Sequence, residues 1–290
     1  MYLLLMNPMS GRGMGVKLCD QITAVLKERG LSYCMETATL ETQADEIAAR
    51  HINDQLDGII VVGGDGSLYQ TVNRVRDNPA PLIIVPCGTG NDFVRALNFP
   101  RDPIHALKMQ LDAQPRRIDE GRMNDIRFLN VGGTGFDVDV LRKTEQYKDR
   151  YTGLRAYFRG LVAAIRDYRP MQAKVSIDDG PAQDMRFAIL SIGNGSYIGG
   201  GMKAVPGAEV DDGLFDVIIV KPVKKWMILP LIALFITGKH VRCGLGRRIR
   251  CKKIRMECPN MTVNLDGELL NTDCAEFEIL PRALSIRAPK

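Results

Sequence analysis

The sequence has few of the side chains on which histidine- or cysteine-based chemistry depends. Its three histidines are His51, His105 and His240, and its seven cysteines include no Cys-x-x-Cys pair. A zinc site or a Ser–His–Asp triad therefore has little to be built from, because both need residues of these kinds close together. The cysteines lie mostly in apolar segments, which favours buried, reduced thiols in a cytosolic protein.

Long apolar runs are also lacking. The longest, Trp226–Thr237, spans 12 residues and contains Pro230, whereas a membrane-spanning helix needs roughly 20. The chain starts with a strand-like segment, Tyr2–Met6, that has neither the basic region nor the cleavage site of a signal peptide. We therefore expect a cytoplasmic protein that is soluble or peripheral at the inner face of the membrane.

Acidic residues are missing from one long stretch. The chain has a net charge of +5, yet residues 217–256 contain no Asp or Glu and eleven Lys or Arg. A local excess of positive charge favours an anionic partner, either a membrane surface or nucleic acid. Nucleic acid is disfavoured because the stretch has a single Trp and no series of stacking aromatics. The alternative is that the apolar part is a core-packing helix and the bases form a solvated face.

The order of strand-like and helix-like segments predicts two domains. At 290 residues the chain is long enough for two cores. Strands and helices alternate over residues 1–118, which predicts a Rossmann-like, doubly wound α/β domain. Short runs separated by glycine over residues 119–282 predict an antiparallel β-sandwich with added helices. We expect the tail, residues 283–290, to pack back onto the first domain.

The second domain contains two helix-like segments. One covers about Tyr151–Tyr168, with Leu154, Phe158 and Leu161 among the apolar residues on one face. The other covers about Lys224–Ile236 and carries most of the apolar side chains of the acid-free stretch.

Two glycine-rich loops are the most informative feature of the chain. The apolar run Ile59–Val62 leads into Gly63–Ser67, and Leu82–Val85 leads into Pro86–Asp92. Glycines allow close backbone approach to a ligand, and successive free N–H groups form an anion site. Asp65 would repel a phosphate unless a cation lay between them, so the loops predict a cradle for a nucleotide and Mg²⁺. Asp-Gly can also be an ordinary turn, but two such loops after consecutive strands favour a ligand site.

Three further segments could carry chemistry in the second half of the chain. They are the glycine-rich loop Gly193–Met202, the acidic turn Glu209–Asp216 and the segment Val263–Glu268. A carboxylate on a tight turn at a strand end is held rigidly and could act as a general base. The alternative is that the acidic segments are ordinary turns with solvated side chains.

These motifs resemble those of the diacylglycerol kinase catalytic family in order and rough spacing. The chain is similar to the soluble bacterial lipid kinase branch, which is related to sphingosine kinases and more distantly to NAD kinases. The resemblance covers nearly the whole chain. The segments that carry it are Asn7–Gly11, Gly63–Ser67, Pro86–Phe93, Asp211–Asp216 and Asp266–Glu268.

The resemblance implies that ATP binds between the two domains. Its contacts would come from residues of the first domain: Asn7, Pro8, Met9, Ser10, Gly11, Thr39, Gly63, Gly64, Asp65, Gly66, Ser67, Leu68, Tyr69, Gly88, Thr89, Gly90 and Asn91.

The resemblance also implies two metal sites. Asp65 would act near the catalytic Mg²⁺, supported by Asp119 through water. A separate structural cation would be held by Asp212 and the backbone carbonyls of Glu209 and Leu214. Phosphoryl transfer depends mainly on positioning and charge neutralisation, so the shortage of histidine is no obstacle.

The function that follows from the resemblance is an ATP-dependent lipid kinase. Glu268 would accept the proton of a hydroxyl on diacylglycerol or a related lipid, and the basic stretch would rest on an anionic membrane surface. The alternatives are an NAD-kinase-like activity on a soluble nucleotide and a non-catalytic regulator that binds nucleotide or membrane. A homodimer is compatible with the sequence, which does not fix the oligomeric state.

One motif departs from the family pattern. The usual GGDGT-x-NE is replaced by a segment in which Ser67 keeps the hydroxyl, while Tyr69 and Gln70 replace an amide and an acid. The change puts the local polar network in doubt, and it is the only sequence feature that favours the non-catalytic alternative.

Overall fold

The computed structural model describes residues 1–8, 10–37, 46–47, 50–51, 55–75, 78–148, 150–151 and 154–289. The strands are β1 (Tyr2–Met6), β2 (Tyr33–Thr37), β3 (Gly58–Gly63), β4 (Leu82–Pro86), β5 (Pro115–Met123), β6 (Ile126–Phe128), β7 (Val131–Gly135), β8 (Met171–Ile177), β9 (Gln183–Phe187), β10 (Ile189–Gly193), β11 (Phe215–Val220), β12 (Gly246–Cys251), β13 (Lys253–Leu265) and β14 (Glu268–Arg287).

Eight α-helices lie within the described residues. They are α1 (Met14–Glu28), α2 (Asp65–Arg74), α3 (Asp92–Ala96), α4 (Pro103–Asp112), α5 (Phe136–Lys148), α6 (Leu154–Asp167), α7 (Ile228–Thr237) and α8 (Lys239–Arg242), with 3₁₀ turns at Ser10–Gly13 and Lys225–Met227. Within the residues that the structure describes, no helix is both long and apolar enough to cross a bilayer.

The N-terminal part is a parallel sheet with helices on both faces. Its strands lie in the order β4-β3-β1-β2. One face packs against α1 and α4, and the other against α2 and α3. Strands β3 and β4 are buried throughout because both of their faces are covered. The predicted doubly wound α/β architecture is confirmed.

The C-terminal part is built from antiparallel strands. Its main path is β12-β11-β10-β7-β13-β14, and β5, β6, β8 and β9 branch from it. One face buries an aromatic cluster in which Phe128 stacks on Phe215 and meets Phe277 edge-on. The opposite face packs against α5, α6 and α7. The predicted β-sandwich-like domain with added helices is confirmed.

The long strand β14 links the two parts. Most of it pairs with β13 and β5, and near its end Ile286 pairs in parallel with Leu82 of β4. Ile286 and Ala288 are buried in the same core as α2 and α3. The last strand therefore ties the C-terminal part to the N-terminal sheet.

The two predicted added helices are present, with one difference in burial. Helix α6 covers most of the predicted span, and Leu161 packs against the core while Phe158 is 65% exposed. Helix α7 buries Leu231 and Phe235 and leaves Leu229 exposed. Apolar periodicity therefore identified the helices correctly, but part of each apolar face is exposed to solvent.

Candidate active site

The first glycine-rich loop places Asp65 at the start of a helix. Strand β3 ends at Gly63, and α2 begins at Asp65. The Asp65 Oδ1 accepts a hydrogen bond of 3.2 Å from the backbone N–H of Phe93, at the start of α3. The carboxylate is thus held where two helices begin, and the free N–H groups of helix N-termini favour negatively charged groups.

The second glycine-rich loop is closed by its own asparagine. Asn91 has a left-handed backbone (φ 49°). Its Oδ1 accepts from the N–H of Gly88 at 3.1 Å, and its Nδ2 donates to the Gly88 carbonyl at 2.8 Å. Thr89 and Gly90 at the tip of this loop line a cavity.

The two loops touch through their glycines. A Cβ added to Gly88 would lie 2.5 Å from the Cα of Gly64, and one added to Gly90 would lie 2.8 Å from the Asp65 Oδ2. Neither distance is compatible with a side chain, so only glycine lets the loops approach this closely. The two loops are therefore packed against each other next to Asp65, and a side chain at Gly88 or Gly90 would push them apart.

The predicted N-terminal turn lies beside the first loop. Asn7 and Pro8 precede the 3₁₀ turn that contains Ser10 and Gly11, and the Ser10 Oγ lies 3.0 Å from the Oγ of Ser67. The two hydroxyls therefore connect the N-terminal turn to the first glycine-rich loop. The predicted contacts Met9 and Thr39 lie outside the described residues.

The remaining predicted ATP contacts belong to helix α2. Gly66 is exposed in its first turn, and the buried Leu68 lines the cavity. Tyr69 packs against the core of the C-terminal part, and Gln70 lines a small cleft. Of the two residues that depart from the family pattern, Tyr69 therefore contacts the C-terminal part of the chain, and Gln70 forms part of the wall of that cleft.

A hairpin of the C-terminal part faces this loop region. Asp266 and Gly267 form the turn between β13 and β14, and both line the cavity. The carboxylate of Asp266 accepts N–H bonds from Leu129 at 2.6 Å and from Asn130 and Val131 at 2.9 Å each. Glu268 directly follows this turn and is exposed to solvent.

The Asp266 carboxyl has an unusually high pKa. Burial raises it to about 6, the three amide bonds oppose the rise, and the nearby charge of Asp65 adds to it. Asp65 and Asp266 line the same cavity, so the first glycine-rich loop and the hairpin contribute to one site.

Asp92 is a site residue that the sequence analysis did not include among the ATP and metal contacts. It is 5% exposed, and its Oδ2 accepts from the N–H of Gly200 at 2.8 Å. Its Oδ1 lies 3.9 Å from the Nε of Arg95. Burial raises its pKa, and the charge of Asp65 raises it further. The only signal in the sequence was its place directly after Asn91 in the second loop.

A cavity of about 420 Å³ joins these elements. It opens between the two glycine-rich loops, the hairpin and helices α5, α6 and α7. Most of its wall is apolar, from Leu68, Phe93, Leu129, Phe136, Val140, Leu141, Leu161, Ile189, Ile198, Met202, Leu231, Ile232 and Phe235. Its carboxyl groups are those of Asp65, Asp92, Asp137 and Asp266.

The predicted structural cation site is arranged differently. One oxygen of Asp212 accepts from the N–H of Leu214 at 3.1 Å, and the other accepts from the guanidinium of Arg250. Burial raises the pKa of Asp212, Arg250 opposes the rise, and the charges of Asp216 and Glu209 add to it. The negative charge of this turn is thus neutralised in large part by arginine.

Asp119 lies with that turn rather than with Asp65. It is fully buried. Its Oδ2 accepts from the N–H of Gly213 at 2.6 Å, and its Oδ1 accepts from the N–H of Arg282 at 2.8 Å. Both oxygens therefore hold backbone together, and Asp119 does not line the cavity that contains Asp65.

The acid-free stretch is less basic in space than in sequence. Arg248, Lys253 and Arg255, on β12 and β13, form ion pairs with acidic residues of β11, β13 and β14. By contrast, Lys224 and Lys239 at the two ends of α7 are exposed. The region of α7 therefore combines exposed positive charge with exposed apolar side chains.

Comparisons with known proteins agree with this arrangement. A family model described as the diacylglycerol kinase catalytic domain matches residues 1–123. A second, described as the YegS C-terminal NAD kinase beta sandwich-like domain, matches residues 130–288.

Similar proteins cover almost the whole chain. A YegS-like lipid kinase of Pseudomonas aeruginosa is 34% identical over 88% of this chain and 85% of its own length. A diacylglycerol kinase of Mycobacterium tuberculosis is 28% identical over 99% of this chain and 94% of its own. A crystal structure of a diacylglycerol kinase from Bacillus anthracis superposes with a TM-score of 0.74 at 22% identity, covering 99% and 96% of the two chains. The chain belongs to the family of diacylglycerol kinases and YegS-like lipid kinases, and it is a kinase.

Proposed function

We infer that this protein transfers the γ-phosphoryl group of ATP to a hydroxyl of diacylglycerol or a related lipid. One observation carries the proposal: a largely apolar cavity of about 420 Å³ ends at Asp65 and the two glycine-rich loops. A phosphate-binding backbone and a space suited to a lipid chain therefore meet at one point. Apolar pockets with a few convergent polar groups are typical of small-molecule sites.

The residues at the loops fit ATP with Mg²⁺. The close contact of Gly64 and Gly88 brings the two loops together beside the cavity, and Asp65 and Asp92 offer the hard oxygen ligands that Mg²⁺ prefers. When bound, Mg²⁺ would neutralise charge on the transferring group. The two loops would orient the triphosphate through backbone N–H groups, and Ser10 and Ser67 would contact it through their hydroxyls. Water-mediated support of Mg²⁺ by Asp119 stays a prediction, as does a separate structural cation held by Asp212 and the carbonyls of Glu209 and Leu214.

Glu268 is the proposed base for the lipid hydroxyl. An alcohol loses its proton only as the new O–P bond forms, so a carboxylate close to the attacking oxygen accelerates the step by roughly 10²–10⁴-fold. Glu268 directly follows the turn that lines the cavity; it is exposed to solvent and lies just outside the cavity wall. The Asp266 carboxyl is committed to three backbone amides, which fixes the turn and with it the position of Glu268.

Phosphorylation of a soluble nucleotide such as NAD is less well supported. The wall next to Asp65 is mostly aliphatic and aromatic, and a dinucleotide would leave its polar groups unpaired there. The non-catalytic alternative relied on Tyr69 and Gln70, and both have structural explanations on α2.

The lipid would reach the cavity from a membrane. Trp226 and Leu229 near the start of α7 are 72% and 61% exposed, and Phe158 on α6 is 65% exposed. The same two helices also contribute Tyr157, Leu161, Leu231, Ile232 and Phe235 to the cavity wall. Lys224 and Lys239 beside them would attract an anionic surface, each by about 1 kcal/mol. Location at the inner face of the membrane and a homodimer stay predictions.

The test is an unbiased search for products. The protein is incubated with total lipid extract, ATP and MgCl₂, and new phosphorylated species are identified by mass. We expect a gain of one phosphoryl group on a hydroxylated lipid, with no product when Asp65→Asn replaces the wild type. Phosphorylation of NAD with no lipid product would overturn the proposal.

A further inference from the structure

A group of metal-binding side chains lies at the edge of the N-terminal sheet, outside the cavity. Cys34 and Glu36 are two residues apart on β2, so they lie on the same face of that strand. His51 lies in a helical turn, and one ligand atom from each of these three side chains lies within 4.8 Å of the other two. None of the three lines the cavity at Asp65, so phosphoryl transfer as proposed above gives the group no role.

The carboxylate of Glu36 and the imidazole of His51 already lie at the spacing of metal ligands. The His51 Nε2 is 3.2 Å from the Glu36 Oε1, and the two side chains are 13% and 19% exposed. Two ligands of a tetrahedral Zn²⁺, each about 2.1 Å from the ion, lie about 3.4 Å apart. The backbone that carries the imidazole is also fixed, because the His51 carbonyl accepts from the Nδ2 of Asn78 at 3.1 Å.

The thiol of Cys34 completes a donor set that is typical of zinc. Zn²⁺ binds thiolate, imidazole and carboxylate groups, and a site with three protein ligands has water in the fourth position. Since the three ligand atoms lie within 4.8 Å of one another, side-chain movements of about 1 Å bring them to the spacing of a tetrahedral site. Mg²⁺ prefers oxygen ligands alone. This group and the carboxylates near Asp65 therefore suit different metals.

One positive charge competes with a cation for Glu36. The Arg50 Nη1 lies 3.1 Å from the Glu36 Oε1, and its Nη2 donates to the Oε2 at 3.3 Å. The Arg50 side chain is 59% exposed, so it can withdraw from Oε1 and keep its hydrogen bond to Oε2. Carboxylates that bind a metal are commonly oriented by such hydrogen bonds from outside the site.

We propose that Cys34, Glu36 and His51 form a Zn²⁺ site that joins the edge strand β2 to the helical turn of His51. The Cys34 thiol loses its proton to solvent as the Zn–S bond forms. Glu36 and His51 are 15 positions apart, and the spacing matches no common zinc motif, which is why the sequence does not reveal the site. Zinc binding here needs neither ATP nor lipid, so it is tested separately from the kinase function.

Competition with a chromogenic chelator measures the affinity of the metal-free full chain for ZnCl₂. We expect one Zn²⁺ per chain with a Kd of about 1 μM or lower. Cys34→Ser and His51→Asn should each weaken binding by at least about 100-fold, because loss of a direct ligand costs more than loss of a residue that only orients one. The controls should bind as the wild type does. They are Cys274→Ser, which removes a partly buried thiol on β14, and His105→Asn, which removes an exposed imidazole on α4.

The affinities have two outcomes that would overturn the site. One is an affinity in Cys34→Ser or His51→Asn equal to that of the wild type. The other is an equal loss in these variants and in the controls, which would show that Zn²⁺ binds to scattered thiols and imidazoles.

Cobalt and thermal unfolding separate metal binding from folding. Co²⁺ should give a thiolate-to-cobalt charge-transfer band in the wild type and in both controls, and no such band in Cys34→Ser. Unfolding of the metal-free variants shows whether they fold. Zn²⁺ should then raise the Tm of the wild type and the controls but not that of Cys34→Ser or His51→Asn, because a ligand stabilises only the state that binds it. A charge-transfer band that persists in Cys34→Ser would contradict the proposal, as would a wild-type Tm that Zn²⁺ does not change.

Discussion

Two acid-rich regions of this molecule look alike in sequence and differ in structure. At the cavity, the described wall includes Asp65, Asp92 and Asp266 and no Lys, Arg or His side chain. At the 209–216 turn, Asp212 and Asp216 are paired with Arg250 and Arg248 of the neighbouring strand β12. The first region therefore needs a cation from outside, whereas the second supplies its own positive charge.

The difference shows what makes an acidic cluster functional. Carboxylates that are buried together raise each other's pKa and stay available for a ligand. Carboxylates that meet arginine form ion pairs that support the fold. The predictions that follow test this contrast, beginning with the largest effect.

Replacement of Asp65 should remove nearly all activity. Asp65→Asn keeps the shape and the hydrogen bond from Phe93 but removes the charge that would face the metal. We expect kcat to fall by about 10³-fold, the scale of losing a main electrostatic group. Lipid phosphorylation with labelled ATP measures it, and Asp112→Asn is the control because Asp112 lies on the surface in a pair with Arg29. Equal rates for the two variants would contradict the role of Asp65.

Replacement of Glu268 should have the next largest effect. Glu268→Gln leaves the hairpin in place and removes the proton acceptor, so kcat should fall by about 10²-fold with little change in KM for ATP. Glu276→Gln, on the same strand but paired with Arg255, is the matched control. A variant that keeps the full rate would show that another group takes the proton.

Asp137 should make the protein less stable as pH rises. Its pKa is raised in the folded state from 3.8 to about 6, so between these values the folded state binds more protons than the unfolded state. The free energy of unfolding then decreases as pH rises through this window, by up to about 3 kcal/mol for this group. Asp137→Asn removes this pH-dependent loss of stability. In urea unfolding, the variant should have a higher free energy of unfolding than the wild type near pH 8 and a similar one near pH 4. A variant that is less stable than wild type near pH 8 would contradict the assigned burial.

The exposed apolar residues near α7 should contribute to membrane binding. Trp226→Ala combined with Leu229→Ser should weaken binding to anionic vesicles by about 10-fold, since each removes apolar area that would enter the interface. Val16→Ser, at a 53% exposed apolar residue on α1, is the control. Vesicle sedimentation measures the binding. An equal loss of vesicle binding in the Val16→Ser control would argue against a membrane-binding surface localised near α7.

The smallest effect is expected at the arginine-neutralised turn. Arg250 is 45% exposed, and partly exposed ion pairs contribute at most about 1 kcal/mol. Arg250→Met should lower the free energy of unfolding by about that amount in the absence of metal, and added Mg²⁺ should restore part of it if Asp212 then accepts a cation. If the free energy of unfolding is the same in the variant as in the wild type, Arg250 does not stabilise this turn.

Sequence reasoning found the features that depend on local order. The strands before Gly63 and Pro86, the two loops and the turn at Asp266 follow from apolar runs and glycine chemistry, and the structure contains them. Both halves of the fold were predicted because each has its own repeating pattern of strands and helices.

Features that depend on contacts between distant segments were missed. The link from Asp92 to Gly200 and the place of Asp137 in the cavity wall arise only when the two halves meet. The exposure of Phe158 was missed for the same reason. Periodicity identifies the apolar face of a helix, but it does not show which other segment, if any, covers that face. Several bases of the acid-free stretch form ion pairs with acidic residues on neighbouring strands. Counting charge along the chain therefore overestimated the positive charge of that surface.

The central claim is that Asp65 of one half and Glu268 of the other act in a single site. A double-mutant cycle on phosphoryl transfer to a defined lipid in vesicles tests it most directly. Groups that act together lose little more when both are removed than when one is, so Asp65→Asn with Glu268→Gln should be no slower than about the slower single variant. Losses that multiply across the two variants would show that the residues act independently and would contradict the shared site.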